Sequence, residues 1–315
     1  MIKKILLVFC VLAFAMNAQL KTKIQLLGGS GNQKKIEAAL SDIINSANLS
    51  FKSGMPSITN SGISDNAKNN ILKIWQVTPF YCNEDKLKLK LLESPGGKKM
   101  EIRNIPLFFR EDENIVKQEC LVTVSPSGVI EDFLIGIEAE RYDSLVNSGK
   151  GVVDQRRRQI ILGFVEEYRT AYNKRDIDFI EKVFSDQAVI IKGVVYMKGV
   201  DSEEILKQVP ADKIKYVKMT KVEYVSELRK AFKILKYLKV DFEKIEITQH
   251  GFKKDLYGVT LFQKWNQGNY KDVGYLFLMI DFRDEDSPKI HVRAWQPEEF
   301  IKPTETIKIS DFEVF

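Results

Sequence analysis

Three side chains near the end of the chain have types and spacing that could do chemistry: His291, Arg293 and Trp295. They alternate with apolar residues in the segment 288–297, which reads PKIHVRAWQP. Alternate residues of a β-strand point to the same face, so we expect the three side chains to lie together. An imidazole, a guanidinium and an indole on one face could form a site. The same alternation is typical of the polar face of a sheet, and that structural interpretation is favoured.

His291 is the candidate general acid or base. The chain has two histidines, and the other, His250, falls in a predicted turn. A carboxylate could fix the tautomer of His291, and Asp281 on the neighbouring predicted strand is the candidate. If the protein is an enzyme, His291 and Asp281 are therefore its predicted catalytic residues.

Other carboxylates and phenols are also candidates for proton transfer. An isomerase-like reaction needs a carboxylate in an apolar pocket, with its pKa raised, and a hydrogen-bond donor opposite. No spacing in the sequence brings particular members together. The further bases are Asp241, Asp255 and Asp272, and the possible donors are Tyr196, Tyr257 and Tyr275. The predicted ligand-binding residues are Arg293, Trp295, Tyr257 and Tyr275.

We predict no metal site and no cofactor. Two histidines exclude a three-histidine site, and the acidic run 281–288, DFRDEDSP, lacks the glycine and alternating ligands of a helix-loop-helix calcium loop. Such a run is typical of a solvated turn. The sequence also lacks a nucleophile elbow, a CxxC pair and a dinucleotide fingerprint.

The first 18 residues have the pattern of a secretory signal peptide. Lys3 and Lys4 precede the apolar run 5–14, and Ala18 suits cleavage. The apolar run is short for a membrane span, which makes an uncleaved anchor the lesser alternative. We predict an exported protein, periplasmic or extracellular, that is not transmembrane after signal removal. The mature chain keeps two cysteines, Cys82 and Cys120, which could form one bridge or remain two buried thiols.

Composition excludes some classes of partner. The 315 residues carry a net charge of +5, of which the signal lysines supply two, leaving +3. That balance is too small to indicate nucleic-acid binding. A hydrophobic fraction of 44% can build proper cores, so disorder is not indicated.

Hydrophobic periodicity predicts two domains after a flexible linker at 19–33. The N-terminal α+β domain, 34–148, begins with a helix over 33–48 and a second helix capped by Ser64, and then alternates as an antiparallel sheet. The C-terminal domain, 153–302, has helices at 154–173 and 221–236 and four long strands. The tail, 303–315, could add an edge strand, dock on a partner or fray.

The C-terminal domain resembles a known family. The runs EEYRTAYNKRDIDFIEKVFSDQAVI and YGVTLFQKW, followed by GYLFLMIDFRDEDSPKIHVRAWQP, resemble the nuclear transport factor 2-like fold, in a version found in secreted Bacteroidales proteins of unknown function. The resemblance implies an α+β protein with two domains, each with N-terminal helices packed on a curved antiparallel sheet, and a C-terminal cone that can enclose a pocket. Relatives include isomerases, dehydratases and hydrolases, and many that only bind or dimerise, so the fold does not select an activity.

The leading functional prediction is a secreted, envelope-associated binding or assembly module without catalytic activity. The alternatives are a pocket enzyme of the isomerase or dehydratase type, using His291 or Asp281, and a purely structural envelope component. The expected partner is a protein, a glycan or a small apolar ligand. A homodimer through the sheet is also expected if an aromatic face is left uncovered, with Tyr257, Trp265, Tyr275 and Phe277 as its candidates.

Overall fold

The computed structural model describes residues 21–28, 31–52, 54–94, 97–111, 114–148, 151–152, 154–195 and 214–312. The chain divides into two compact units, Met1–Leu92 with Lys99–Phe133 and Glu93–Lys98 with Leu134–Phe315. Each unit packs helices on one six-stranded sheet, which confirms the predicted α+β class. The predicted signal peptide, 1–18, and Tyr196 lie outside the described residues.

The first unit begins with a strand and two helices and continues as a sheet. Its elements are β1 (Lys23–Leu27), α1 (Gln33–Ser50), α2 (Asp65–Val77), β2 (Phe80–Tyr81), β3 (Lys86–Glu93), β4 (Met100–Glu111), β5 (Asn114–Val124) and β6 (Ile130–Ile135). The strand order is β1-β3-β4-β5-β6, with β2 paired to β4. Ser64 caps α2 as predicted, because its hydroxyl accepts from the backbone N–H of Ala67.

Strand β1 lies inside the segment 19–33, which the sequence predicts to be a linker. Residues Lys23–Leu27 pair in parallel with Lys86–Lys90 of β3. Ile24 and Leu26 are buried, so two alternating apolar side chains anchor the strand in the core. A strand of five residues beside a glycine-rich run gives too short a pattern to separate it from loop. The first sheet therefore has one parallel pair, β1 with β3, at its edge.

The second unit places four helices against a second sheet. Its elements are α3 (Ala139–Asn147), α4 (Gln155–Asn173), α5 (Ile177–Val183), β7 (Phe184–Val195), β8 (Ile214–Thr220), α6 (Lys221–Ile234), β9 (Lys239–Gln249), β10 (Leu256–Asn266), β11 (Lys271–Asp281) and β12 (Lys289–Pro297). The strand order is β8-β7-β12-β11-β10-β9, and β12 pairs with β7 in parallel, while the other neighbours are antiparallel. Asp154 caps α4, and Thr220 with Glu223 forms a capping box on α6.

The two faces of the second sheet bury different residues. We call the face that packs on the helices the inner face, with Val259, Leu261, Leu276 and Leu278 in its core. The opposite, outer face carries a smaller apolar cluster that includes Phe277, Met279, Val292 and Ala294. Strict alternation along β10 and β11 produces this division.

The compact units divide at Phe133 and Leu134, earlier in the chain than the predicted break at 148–153. Helix α3 follows that division, and the sequence analysis did not predict it. Ile137 and Val146 pack into the core of the second unit, which is why this stretch belongs there.

The tail packs on its own sheet. Within 303–312 it forms short 3-10 helices at Pro303–Glu305 and Ile309–Asp311, and residues 313–315 lie outside the description. Ile309 is buried in the outer-face cluster, and the Phe312 ring stacks on Phe277 with centroids 5.6 Å apart. In this structure the described tail therefore covers part of the outer face and adds no strand to the sheet.

Cys82 and Cys120 are both buried, and no disulfide joins them. Burial raises the pKa of the Cys82 thiol. No helix among the described residues is long and apolar enough to cross a membrane.

Candidate functional site

A cavity of about 240 Å³ lies between helix α6 and the inner face of the second sheet. We call it the inner cavity. Its deep part is formed by buried residues of four elements: Ile190, Leu228, Gln263, Arg293 and Trp295. Its wall is completed by Met219, Tyr224, Ala231 and Trp265, and its rim by Lys192, Glu227, Gln267, Tyr270 and Asp272.

Arg293 is the one buried cation among the described residues that line the inner cavity. Its relative exposure is 6%, and β12 holds it on the inner face. Its guanidinium carbon lies 5.1 Å from the centre of the Tyr224 ring, and one terminal nitrogen donates to Gln263 Oε1 at 3.4 Å. No carboxylate of the described chain pairs with it, and its Nε has no hydrogen-bond partner there. A buried charge without a counter-ion is energetically expensive.

Trp295, which lines the same cavity, has an enclosed indole N–H without a partner in the described part of the chain. Its relative exposure is 8%. Gln263, 5% exposed, must turn its amide oxygen toward Arg293, because a guanidinium can only donate. The Gln263 amide nitrogen is thereby left as another donor of the cavity lining.

The rim of the inner cavity carries one carboxyl group with a raised pKa, that of Asp272. Asp272 accepts a hydrogen bond of 3.1 Å from the Tyr270 hydroxyl. Burial raises the pKa of Asp272, and burial beside this carboxylate raises the pKa of Tyr270 to about 12. Arg293 pairs in register with Leu278, six positions along β11 from Asp272. Six residues of a strand span about 20 Å, so Asp272 is no counter-ion for Arg293.

Three tyrosine hydroxyls form a hydrogen-bonded chain behind the cavity wall. Tyr168 and Tyr172, one turn apart on α4, have hydroxyl oxygens 2.9 Å apart, and Tyr172 lies 2.6 Å from the hydroxyl of Tyr224 on α6. The positive charge of Arg293 lies close enough to Tyr168 to act on the pKa of its phenol. Burial raises the pKa of both Tyr168 and Tyr172, so these phenols are neutral at physiological pH.

A β-bulge in β12 separates the three residues that the sequence predicts on one face. Ile280 pairs with Ile290, and Met279 pairs with Val292, so His291 is an extra residue between the two pairs. Strand β7 is irregular opposite the same point. A bulge inverts the alternation beyond it, so Arg293 and Trp295 point inward with Ile290, while His291 lies outward. The prediction of one shared face is therefore wrong for His291.

The structure does bring His291 and Asp281 together, but on the outer face. His291 Nε2 lies 3.4 Å from Asp281 Oδ2, and its Nδ1 lies 3.0 Å from Ser185 Oγ. The pair borders a surface hollow of about 690 Å³. Burial would raise the pKa of Asp281, but hydrogen bonds from Arg283 and His291 outweigh burial and lower it. This carboxylate is not the raised-pKa base that an isomerase-like site requires.

The other predicted ligand-binding residues lie apart from the inner cavity. Tyr257 is buried on the inner face, beneath the Arg157 guanidinium, whose carbon is 5.8 Å from the ring centre. Tyr275 alternates to the outer face and packs edge-on against Phe262, with centroids 5.5 Å apart. Arg293 and Trp295 thus share a cavity, and Tyr257 and Tyr275 do not line it.

Tyr224, Gln263 and Tyr172 are site residues that sequence reasoning missed. Tyr168 and Tyr172 are buried on helix α4. Their i, i+4 spacing was the available signal, because it places two phenols on one helical face. No group of three or more His, Cys, Asp or Glu side chains that could hold a metal occurs among the described residues.

Comparisons with known proteins found only remote similarity. No protein-family model matches the chain, and no curated protein matches it. Similar solved structures include Bd1075 of Bdellovibrio bacteriovorus, at 13% identity and a TM-score of 0.33, covering 66% of this chain and 93% of that one. A nuclear-transport-factor-2-like protein of unknown function from Shewanella oneidensis MR-1 has 13% identity and a TM-score of 0.31, over 43% of this chain and 95% of that one. ActVI-ORFA from Streptomyces coelicolor has 9% identity and a TM-score of 0.32, over 44% and 95%.

Proposed function

We propose that the second unit is a binding module whose inner cavity takes a small ligand with one anionic group and an apolar body. The observation that carries the proposal is the buried guanidinium of Arg293, which has no carboxylate partner in the described chain. An anion seated beside it would supply the missing counter-charge, and charge-assisted hydrogen bonds are about twice as strong as neutral ones.

The other residues that line the inner cavity are mostly apolar, which favours a ligand with an apolar body. Ile190, Leu228 and Trp295 are buried around the deep part of the cavity, and Met219 and Ala231 lie along its wall. A volume of about 240 Å³ falls just below the range of roughly 300–1,000 Å³ common for ligand pockets, which favours a small ligand. A flat ring or a short aliphatic chain that ends in an anionic group fits a cavity with apolar walls and one buried cation.

Benzoate and benzamide test the proposal, because they share a ring and differ in charge. Trp265 and Trp295 line the cavity and report occupancy by fluorescence, while Trp75, in the core of the first unit, adds a constant signal. We expect saturable benzoate binding that is at least tenfold tighter than benzamide binding. We expect Arg293→Met to lose benzoate binding. Arg229→Met, on the same helix as Tyr224 but paired with Glu181, is the control that keeps binding. Equal affinity for both probes, or full benzoate affinity in Arg293→Met, would contradict the proposal.

A second candidate function is proton transfer at the same cavity, with Asp272 as the acid or base. Its raised pKa and its hydrogen bond to Tyr270 favour it over Asp281 for that role. The test is loss of exchange of a weakly acidic C–H proton of a bound carbonyl compound in Asp272→Asn, followed by NMR in deuterated water. Unchanged exchange in this variant removes the candidate.

We further propose export of the chain to the periplasm or the extracellular space, where the module would act at the envelope in binding or assembly. The proposal rests on the charged and apolar pattern of residues 1–18. The mass of the protein recovered from an exporting bacterial host tests it: loss of 18 residues is expected, and an intact N-terminus in the cytoplasm contradicts it.

A further inference from the structure

We infer that Tyr224 is a specificity residue that donates its hydroxyl proton to the ligand, so the anionic group is a carboxylate bound by Arg293 and Tyr224 together. The inference rests on the proposed function and names the chemical class that the inner cavity selects. It follows from the direction in which the three tyrosines can share their protons.

Burial fixes the start of the hydrogen-bonded chain. The Tyr168 side chain is fully buried near the positive charge of Arg293, so its oxygen faces a cation and its proton needs an acceptor. The Tyr168 hydroxyl then has one proton to donate, and Tyr172 is its neighbour at 2.9 Å. Tyr172 in turn donates to Tyr224 at 2.6 Å.

The opposite direction leaves a buried proton unused. If Tyr224 donated to Tyr172 and Tyr172 to Tyr168, the Tyr168 hydroxyl would have no acceptor among the described residues, although its side chain is fully buried. An unsatisfied buried donor costs about 1–3 kcal/mol. The direction from Tyr168 to Tyr224 avoids that cost, because the proton left over belongs to Tyr224, which is only partly buried and lines the cavity.

The deep part of the cavity therefore presents donors only. The available groups are the Tyr224 hydroxyl proton and the Gln263 amide nitrogen, beside the Arg293 guanidinium; Arg293 Nε and Trp295 Nε1 are enclosed and have no partner among the described residues. A carboxylate accepts at both oxygens and donates nothing, which matches this set. One buried guanidinium compensates one negative charge, whereas a phosphate monoester carries nearly two at neutral pH. A carboxylate thus matches both the donor pattern and the charge.

Tyr172 acts through Tyr224 as a positioning residue. It occupies the acceptor site of the Tyr224 oxygen, so the Tyr224 proton is directed away from α4 and toward the cavity. Tyr172→Phe leaves the Tyr224 hydroxyl in place but frees it to rotate. Removing Tyr172 should therefore weaken carboxylate binding less than removing the Tyr224 hydroxyl.

Tyrosine-to-phenylalanine variants test the inference, with benzoate, benzamide and phenyl phosphate titrated at pH 8 by tryptophan fluorescence. We expect Tyr224→Phe to weaken benzoate binding roughly tenfold or more and benzamide binding by a clearly smaller factor, because both oxygens accept from the phenol but only the carboxylate is charged, and the phenyl ring beside Arg293 is kept. Tyr172→Phe should weaken benzoate binding by a smaller factor, and the double variant should match Tyr224→Phe alone. Tyr257→Phe, a buried inner-face tyrosine outside the cavity lining, is the matched control and should bind as the wild type does.

The outcomes separate this inference from the proposed function. If the wild type prefers benzoate and loses it in Arg293→Met, while Tyr224→Phe binds benzoate normally, the role of Tyr224 is wrong and the anion site stands. Phenyl phosphate binding tighter than benzoate overturns the carboxylate assignment. Additive losses in the double variant overturn the claim that Tyr172 acts through Tyr224. Absence of any benzoate preference in the wild type overturns the proposed function itself.

Discussion

The Arg293 guanidinium lies directly over the ring of Tyr224, with its carbon 5.1 Å from the ring centre, and both residues line the inner cavity. One residue comes from strand β12 and the other from helix α6, so the contact links the sheet to the helix that covers it. A cation over an aromatic face gains about 0.5–2 kcal/mol, which offsets only part of the cost of burying a charge. An anionic ligand beside Arg293 would offset the rest of that free-energy cost.

Asp272→Asn should raise stability at pH 7. Burial raises the pKa of Asp272, so the folded protein holds this proton more tightly than the unfolded chain. The stability that the protonated Asp272 contributes is fully present below the pKa of this group in the unfolded chain, about 3.9. It is lost as the pH rises through the higher pKa of the folded protein. A permanently neutral side chain avoids that loss, so urea unfolding should show the variant more stable at pH 7 and equal to the wild type near pH 3.

Asp241→Asn is the matched control with the opposite sign. Burial would raise the pKa of Asp241, but the charges of Arg169 and Lys239, with hydrogen bonds from the Phe242 N–H and from Arg169, together outweigh burial and lower it. A lowered pKa contributes stability above the unfolded value, and this is lost as pH falls through the folded pKa. This variant should therefore be less stable than the wild type at pH 7. Changes of the same sign in both variants would contradict these two assignments.

Phe312→Ala should destabilise the second unit by about 1–2 kcal/mol. Full burial of a phenylalanine gives losses of about 3–5 kcal/mol on truncation, and Phe312 is only partly buried against Phe277. Phe252→Ala is the control, because Phe252 is 95% exposed and its removal should change stability by less than about 0.5 kcal/mol. Thermal unfolding measures both.

Removal of residues 306–315 should promote self-association. The tail places Ile309 and Phe312 on the outer-face cluster, and its loss uncovers Phe277, Met279 and Val292. Exposed apolar patches of this kind form protein contacts. Light scattering after size exclusion should show a larger assembly than the full chain forms; an unchanged mass would mean that the tail does not protect this face. Homodimerisation of the intact protein through the sheet stays a prediction.

His291→Ala should leave benzoate binding unchanged. His291 borders the outer-face hollow, and its contacts with Asp281 and Ser185 lie outside the inner cavity. We expect a loss of stability of about 1 kcal/mol from the missing hydrogen bonds. Loss of benzoate binding with an intact fold would move the binding site to the outer face.

Periodicity predicted most of the second unit because long strands and helices repeat their pattern many times. Helix α4 and strands β10 and β11 each have long runs in which the buried residues recur at the expected spacing. Short elements give too few repeats, which is why β1 and α3 were missed. The α+β class and the Ser64 cap depend on strong local signals and were predicted correctly.

The site was less predictable than the fold because it depends on one inserted residue. Nothing in PKIHVRAWQP distinguishes a regular strand from one in which His291 is a bulge, and the register shifts in its pairing with both β11 and β7 are visible only in the structure. The unpaired state of Arg293 likewise depends on which carboxylates the fold brings near. Sequence reasoning named Arg293 and Trp295 as ligand-binding residues, but only the structure shows their shared cavity and the tyrosines behind it.

The most direct test of the account compares two buried arginines by urea unfolding without ligand. Arg169, 5% exposed, pairs with Asp241 at 3.0 Å and donates to the carbonyl oxygens of Ile135 and Gly136. Arg169→Met should therefore lose roughly 3 kcal/mol, because a partner charge is left unpaired. Arg293→Met should stay within about 1 kcal/mol of the wild type or exceed it, because it removes a charge that lacks a counter-ion. A loss in Arg293→Met as large as that in Arg169→Met would show that the fold itself compensates the Arg293 charge, and would contradict the anion-binding account.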